Sequence, residues 1–373
     1  MKKLAILGST GSIGHSTLSI CESFPNRYQV ISLATEQLAA TLKTRLKAAA
    51  ITNIEVLHGT AGSIHVATLP EVNFVVSAIV GVAGLEATYA AVCAGKTIGL
   101  ANKECLVAAG ELIIAAAKKH SVALLPIDSE HNAVHQCMRG GTPPEVKQIW
   151  LTASGGPFRN TPLPDFDHIT PAQALKHPTW VMGQRITIDS ATMMNKGFEV
   201  IEACRLFNLP PKQVRVTIHP QSTVHSLVEF VDGSILAQIS VTDMRLPILY
   251  ALAYPERVAV SEKETLTFDL TTLSQLDFSV PDLNRFPCLR LAFEAAENGG
   301  RSCIALNAAD EIAVAAFLEG RIPFMGIPRT IDTVLQLTAG QPPASISEVL
   351  DADLAARQQA REVIARQFTG VGR

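Results

Sequence analysis

The sequence predicts an α/β protein in three parts: an N-terminal parallel sheet, a central α+β domain and a C-terminal helical bundle. Three observations predict it. Short apolar runs alternate with helical stretches up to residue 126. A strand-turn-strand pattern with glycine-rich loops follows, and the last ninety or so residues repeat at helical period with regularly spaced breakers.

The first part supplies strand candidates at 3–7, 29–33, 54–57, 74–79, 97–100 and 123–126, with helices at 38–50, 84–94 and 106–119 between them. That alternation demands crossovers, and crossovers put helices on both faces of a parallel sheet. The apolar stretch from Phe74 to Gly95 is broken by Gly81, Gly84 and Glu86, so it reads as a buried strand and its helix, not as a membrane span. In the second part, 226–231 and 234–240 flank Asp232-Gly233, a strong hairpin signal, and 214–218 adds a further strand. An antiparallel sheet with helices on one face is the expectation there. The boundaries follow as 1–126 for dinucleotide binding, 127–252 for catalysis with metal and substrate, 253–280 as linker and 281–373 as the helical part. Helices are expected at 288–298, 305–319, 329–336 and 346–367.

A chain of 373 residues exceeds one core, and 47% apolar with 17% charged residues excludes a disordered one. A net charge of −3 without a basic stripe gives no footprint for nucleic acid. Seven scattered cysteines, never spaced C-x-x-C, argue against disulfides and structural zinc and for reduced thiols in the cytoplasm. No secretory leader or membrane segment is expected.

The chemistry begins at the end of the first strand, with Gly8-Ser9-Thr10-Gly11-Ser12-Ile13-Gly14 opening a helix. Glycines there permit a tight turn and close approach to a pyrophosphate, which the helix N-terminus attracts; the first part is thus Rossmann-like. After the second strand the ribose-reading place holds Thr35-Glu36-Gln37. A carboxylate there accepts the hydroxyls of NAD and repels a 2′-phosphate, although Glu36 also fits a merely exposed residue after a strand. Next, Asp128-Ser129-Glu130 follows a strand. In an extended segment residues two apart point the same way, so Asp128 and Glu130 converge and suit Mg²⁺ or Mn²⁺, with Glu199 as a third oxygen donor; from spacing alone a solvated loop or a helix N-cap is the commoner reading. His131 and His135, four apart without a glutamate in the zinc-site place, are expected to cap or face solvent. His177, His219 and His225 stand isolated and read as structural. Ser154-Gly155-Gly156 and Ser190, Asn195 and Lys196 present donors suited to phosphate, or to ordinary turns.

Eight segments in order resemble the 1-deoxy-D-xylulose 5-phosphate reductoisomerases over nearly the whole chain. They are the glycine loop, Ala101-Asn102-Lys103-Glu104, residues 126–132, Ser154-Gly155-Gly156-Pro157-Phe158, residues 177–183, residues 188–197, Ile218-His219-Pro220-Gln221-Ser222 and Ala305-Leu306-Asn307-Ala308-Ala309. The resemblance implies metal ligation by Asp128, Glu130 and Glu199 with Mg²⁺, Mn²⁺ or Co²⁺. It implies contact of Lys103, Ser129 and Glu130 with the reacting groups, and substrate binding by Ser154, His177, Ser190, Asn195 and Lys196. Thr10, Gly11, Ser12, Ile13, Asn102, Glu104 and Gly183 would face NADPH. Ser154 to about Gly183 would form a flap carrying Trp180 and Met182. The implied reaction is a retro-aldol and re-addition rearrangement followed by hydride reduction, in a homodimer. Thr35-Glu36-Gln37 departs from the small-basic-polar triplet usual in the family, so NADH is not excluded; Lys43, Arg45 or Lys47 could replace the missing cation. Two rival readings are a sugar-phosphate dehydrogenase that does not isomerise and a non-catalytic metabolite-binding regulator.

Overall fold

A computed structural model describes residues 1–35, 54–180, 182–260 and 266–368. The expected helix at 38–50, Glu36, Gln37 and the three basic residues at 43, 45 and 47 lie outside the described residues. The chain divides into two compact units, residues 1–135 with 243–268, and residues 136–242 with 269–373.

Among the described residues the first unit is built on six parallel strands: β1 (Lys2–Leu7), β2 (Tyr28–Ala34), β3 (Glu55–Leu57), β4 (Phe74–Ser77), β5 (Thr97–Leu100) and β6 (Leu124–Pro126), ordered β3-β2-β1-β4-β5-β6. Phe74, Val75, Val76 and Ser77 are all buried, as a central strand covered on both faces must be. The helices are α1 (Ser12–Ser23), α2 (Gly59–Thr68), α3 (Leu85–Cys93), α4 (Glu104–Lys119) and α5 (Ser129–Cys137). α2 was not foreseen. Its Gly59-Thr60-Ala61-Gly62-Ser63 opening is weak in helix formers, and burial of Ser63, Val66 and Ala67 holds it in place. The strand order reverses between β1 and β4, the switch point where doubly wound sheets bind ligands beyond their carboxyl ends.

The expected boundaries at 126, 252 and 280 differ from this division. Residues 243–268 return to the first unit because Ile248, Leu249, Ala251 and Leu252 join Leu4, Ile6, Leu18 and Phe74 in one buried cluster. A period-3.6 segment shows that a face is buried, not which partner buries it.

The second unit holds β7 (Val146–Ala153), β8 (Val214–Ile218), β9 (Val224–Phe230) and β10 (Ile235–Ile239), ordered β10-β9-β7-β8. The β9–β10 hairpin turns at Gly233 (φ 88°) as its Asp-Gly pair requires. The sheet is mixed, not antiparallel throughout: β7 and β8 run parallel. Their connection carries three helices, α6 (Pro171–Ala174), α7 (Gln184–Ala191) and α8 (Met194–Phe207), long enough for a crossover. In the first unit α9 (Arg245–Ala253) follows; in the second come α10 (Pro287–Asn298), α11 (Arg301–Leu318), α12 (Gly326–Leu337) and α13 (Ile346–Gln367). Phe158, Phe166, Phe286, Phe317 and Phe324 meet edge to face, with centroids 5.3–6.3 Å apart. Each such pair adds roughly 0.5–1.5 kcal/mol beyond its buried area. This aromatic cluster anchors the loop after β7 to the C-terminal helices. Among the described residues no helix is long and apolar enough to cross a membrane.

Candidate active site

In the first unit the glycine loop is a backbone cradle. The N–H groups of Gly8 and Ser9 both donate to the carbonyl of Ala34, at 3.0 and 3.1 Å, tying the loop to the end of β2. Gly8 adopts φ 83°, and a Cβ there would stand 2.4 Å from the Ala78 carbonyl oxygen. A Cβ on Gly14 would meet Ser9 Cα at 2.5 Å. Gly11 caps α1 without a side-chain hydrogen bond, and the first turn carries no acid, so the amides there keep their positive end. Gly11 and Ser12 are exposed, while Thr10 and Ile13 are half-buried. Thr10 Oγ1 lies 3.1 Å from Thr35 Oγ1, a cross-link that the sequence reading missed.

Asn102, Lys103 and Glu104, where β5 passes into α4, are all buried. The Asn102 amide donates to the carbonyls of Ile79 and Gly81, and its oxygen accepts from Cys105 N–H. Its side chain therefore shapes the loop beside the sheet's carboxyl end. Lys103 Nζ reaches Asp128 Oδ2 at 2.9 Å.

Asp128 closes β6 and opens α5. Its Oδ1 accepts from the N–H groups of Glu130 (3.1 Å) and His131 (3.4 Å), which is N-capping geometry. Glu130 already belongs to the first helical turn, so the two acids converge through the helix start and not through strand alternation, with a carboxylate oxygen of each within 4.8 Å of the other. Capping leaves Oδ2 facing Lys103, and Ser129 Oγ donates to Glu130 Oε2 at 2.5 Å. The histidines correct a further expectation. His131 is wholly buried with Nδ1 3.3 Å from Asp128 Oδ1, and half-buried His135 meets the Tyr250 hydroxyl at 2.8 Å. Neither faces solvent, because the face of α5 that carries them packs inward against α9. The Asp-x-x-His spacing was the available signal for the His131 contact.

In the second unit His177 lies between two serines. Its Nε2 is 3.2 Å from Ser154 Oγ and 2.9 Å from Ser190 Oγ. Nδ1 accepts from the N–H groups of Trp180 (2.9 Å) and Thr179 (3.2 Å). A nitrogen that accepts carries no proton, so in the neutral ring Nε2–H is the donor towards the serines. Burial holds the imidazole below its ordinary pKa, favouring that neutral form. His177 is therefore part of a cluster, against the expectation of an isolated structural histidine. His219 meets that expectation: it is buried and bridges the Asp277 carbonyl to the Thr223 hydroxyl. Gly155 and Gly156 take φ 79° and 63°, turning the chain so that Gly156 N–H donates to Ser154 Oγ.

α7 and α8 meet at Met193, in the left-handed region at φ 60°. From the first turn of α8 Asn195 Nδ2 donates to Glu199 Oε1 at 2.7 Å, and Lys196 Nζ pairs with Glu199 Oε2. Lys196 and Glu199 are 4% and 1% exposed, so each charge depends on its partner. Gly183 caps α7, with open space where a Cβ would stand.

A parallel sheet with a glycine cradle at its switch point defines the class: an α/β fold of the dinucleotide-binding kind. Relatives narrow the class. Residues 4–110 match a family profile described as 1-deoxy-D-xylulose 5-phosphate reductoisomerase, and residues 124–207 and 239–359 match its two C-terminal domain profiles. The chain is 49% identical over 389 residues to the reductoisomerase of Solibacter usitatus, covering 97% of each. A Zymomonas mobilis reductoisomerase in complex with NADPH is 42% identical with TM-score 0.88, covering 98% of this chain and 99% of that one. A further structure, a DOX-P reductoisomerase with NADPH, fosmidomycin and magnesium, is 43% identical with TM-score 0.86 over 98% of each. This chain belongs to the 1-deoxy-D-xylulose 5-phosphate reductoisomerase family.

Proposed function

We propose that the chain converts 1-deoxy-D-xylulose 5-phosphate to 2-C-methyl-D-erythritol 4-phosphate with NADPH and a divalent cation, a step towards isoprenoid precursors. The observation that carries this is the near-full-length likeness to reductoisomerases, one of them solved with NADPH, fosmidomycin and magnesium.

The residues fit both groups. Space at Gly8 and Gly14 too small for a Cβ suits a backbone cradle for a pyrophosphate. Asp128, Glu130 and Glu199 offer only carboxylate oxygens, the donors that Mg²⁺ or Mn²⁺ selects, with Co²⁺ also accommodated. When bound, the cation polarises the substrate's carbonyl and hydroxyl oxygens, and the nicotinamide supplies the hydride.

Around those groups the chain's own side chains do the rest. Lys103 pairs with Asp128 and places a donor beside it. Ser129, held by Glu130, offers a hydroxyl to the reacting oxygens and relays a proton at Oγ. Ser154, His177 through Nε2–H, Ser190, Asn195 and Lys196 hold the phosphate, which fixes the substrate's orientation. The segment from Ser154 to about Gly183 closes over it, with Trp180 and Met182 excluding water. Thr10, Gly11, Ser12, Ile13, Asn102, Glu104 and Gly183 line the dinucleotide. The enzyme works as a cytoplasmic homodimer, which sedimentation equilibrium tests directly.

The test is Glu130→Gln. Turnover should collapse while NADPH still binds with wild-type affinity; wild-type turnover in that variant with Mg²⁺ present overturns the assignment. Product analysis separates the non-isomerising dehydrogenase, since only rearrangement makes the branched skeleton.

A further inference from the structure

Arg185 stands in the first turn of α7, five residues before Ser190. Its Nη1 donates to Glu311 Oε2 at 3.1 Å and its Nη2 to Asn307 Oδ1 at 3.0 Å, both on α11. The same guanidinium lies 3.7 Å from Asp189 and 3.5 Å from Asp310. It also lies 5.9 Å from the ring centre of Phe198, the neighbour of Glu199 on α8. Glu311 passes the connection on, accepting from Arg357 of α13 at 2.8 Å. One cation therefore fastens the helix bearing Ser190 to α8 and to the C-terminal helices.

The electrostatics make this fastening specific. Asp310 is fully buried and Asp189 6% exposed at the side chain, and Arg185 is the cation set between them. Take it away, and Asp189 and Asp310 lose the cation that offsets the cost of burying them, while Glu311 is left with Arg357, so α7 must shift or protons must be taken up. Ser190 moves with α7, and its 2.9 Å contact to His177 moves with it. Lysine restores the charge but not the planar fork that meets Glu311 and Asn307 together.

We infer that Arg185 is a positioning residue, which clamps α7 against the C-terminal helices so that Ser190 and His177 hold the spacing a phosphate group needs. The inference rests on the phosphate role proposed above for Ser154, His177 and Ser190.

Arg185→Met and Arg185→Lys in the full-length enzyme, with Mg²⁺ and NADPH, test it. Arg185→Met should raise KM for the sugar phosphate, and the inhibition constant of inorganic phosphate, at least about tenfold. Its kcat should change less than about threefold and its NADPH Kd should stay put. Arg185→Lys should fall between, with KM raised about threefold or more. A lowered melting temperature with unchanged KM means the clamp serves stability alone and overturns the inference. Should Arg185→Met not fold, an unchanged KM in Arg185→Lys overturns it equally. A wild-type enzyme without turnover would instead overturn the proposed reaction, a separate failure.

Discussion

Lys103 Nζ and Asp128 Oδ2 lie 2.9 Å apart, with only 9% and 12% of their side chains exposed. Under the metal role proposed for Asp128, an ammonium against its carboxylate competes with the cation for the same oxygen. The two variants should therefore part company. Asp128→Asn should weaken Mn²⁺ binding at least about tenfold (roughly 1.4 kcal/mol), whereas Lys103→Met should leave it equal or tighter. Both should lower kcat. Titration calorimetry with Mn²⁺ decides, and weaker binding in Lys103→Met would show that Lys103 supports the ion instead of competing with it.

Gly14 and Gly183 make a matched pair of tests. A methyl group on Gly14 meets Ser9 Cα at 2.5 Å, whereas one on Gly183 meets nothing within 4 Å. Gly14→Ala should cost about 1–3 kcal/mol of stability by forcing the cradle open, and raise the NADPH Kd about tenfold. Gly183→Ala should leave stability within about 0.5 kcal/mol of wild type. Fluorescence titration and thermal melts read both; equal NADPH affinity in Gly14→Ala would detach the cradle from the dinucleotide.

Asp310 gives stability an unusual pH dependence. Burial, opposed by the Arg185 charge, pushes its carboxyl from the ordinary 3.8 up to about 6. The folded state thus holds a proton that the unfolded chain has released, and stability falls as pH rises from about 4 through 6. Asp310→Asn carries no such proton and can still hydrogen-bond at the same place. Relative to wild type it should gain up to about 3 kcal/mol between about pH 4 and pH 8. Urea unfolding at the two pH values measures the gain, and a difference that does not change with pH refutes it.

Cofactor preference turns on the residues after β2. Thr35 is fixed by its contact with Thr10 and by its N–H bond to Leu57, and Glu36 follows immediately. A carboxylate disfavours a 2′-phosphate, so NADPH should lead NADH by less than about a hundredfold in kcat/KM (roughly 2.7 kcal/mol). A larger ratio would show that Glu36 does not face the 2′-phosphate, and Glu36→Ala should then change the ratio little.

Local pattern was legible where physics is local. Buried parallel strands read as apolar runs, the Asp232-Gly233 turn as a hairpin, and the glycine loop as a cradle, since each depends on neighbours a few residues away. α2 escaped because weak propensity is outweighed by packing. The parallel β7–β8 pair escaped because strand direction depends on a crossover sixty residues long. The burial of His131 and His135 escaped the reading that they cap or face solvent, because a four-residue spacing does not reveal which helix lies opposite.

By itself the sequence determined the α/β class, the dinucleotide cradle and, through eight ordered segments, the family. Only the tertiary structure decided the partners those side chains keep: Lys103 on Asp128, His177 between Ser154 and Ser190, Arg185 among the carboxylates of α7 and α11. Residue types record which charges a fold must accommodate. Which opposite charge lies within about 4 Å is set by helix packing, and at that distance in a poorly solvated interior it governs both ionisation and position.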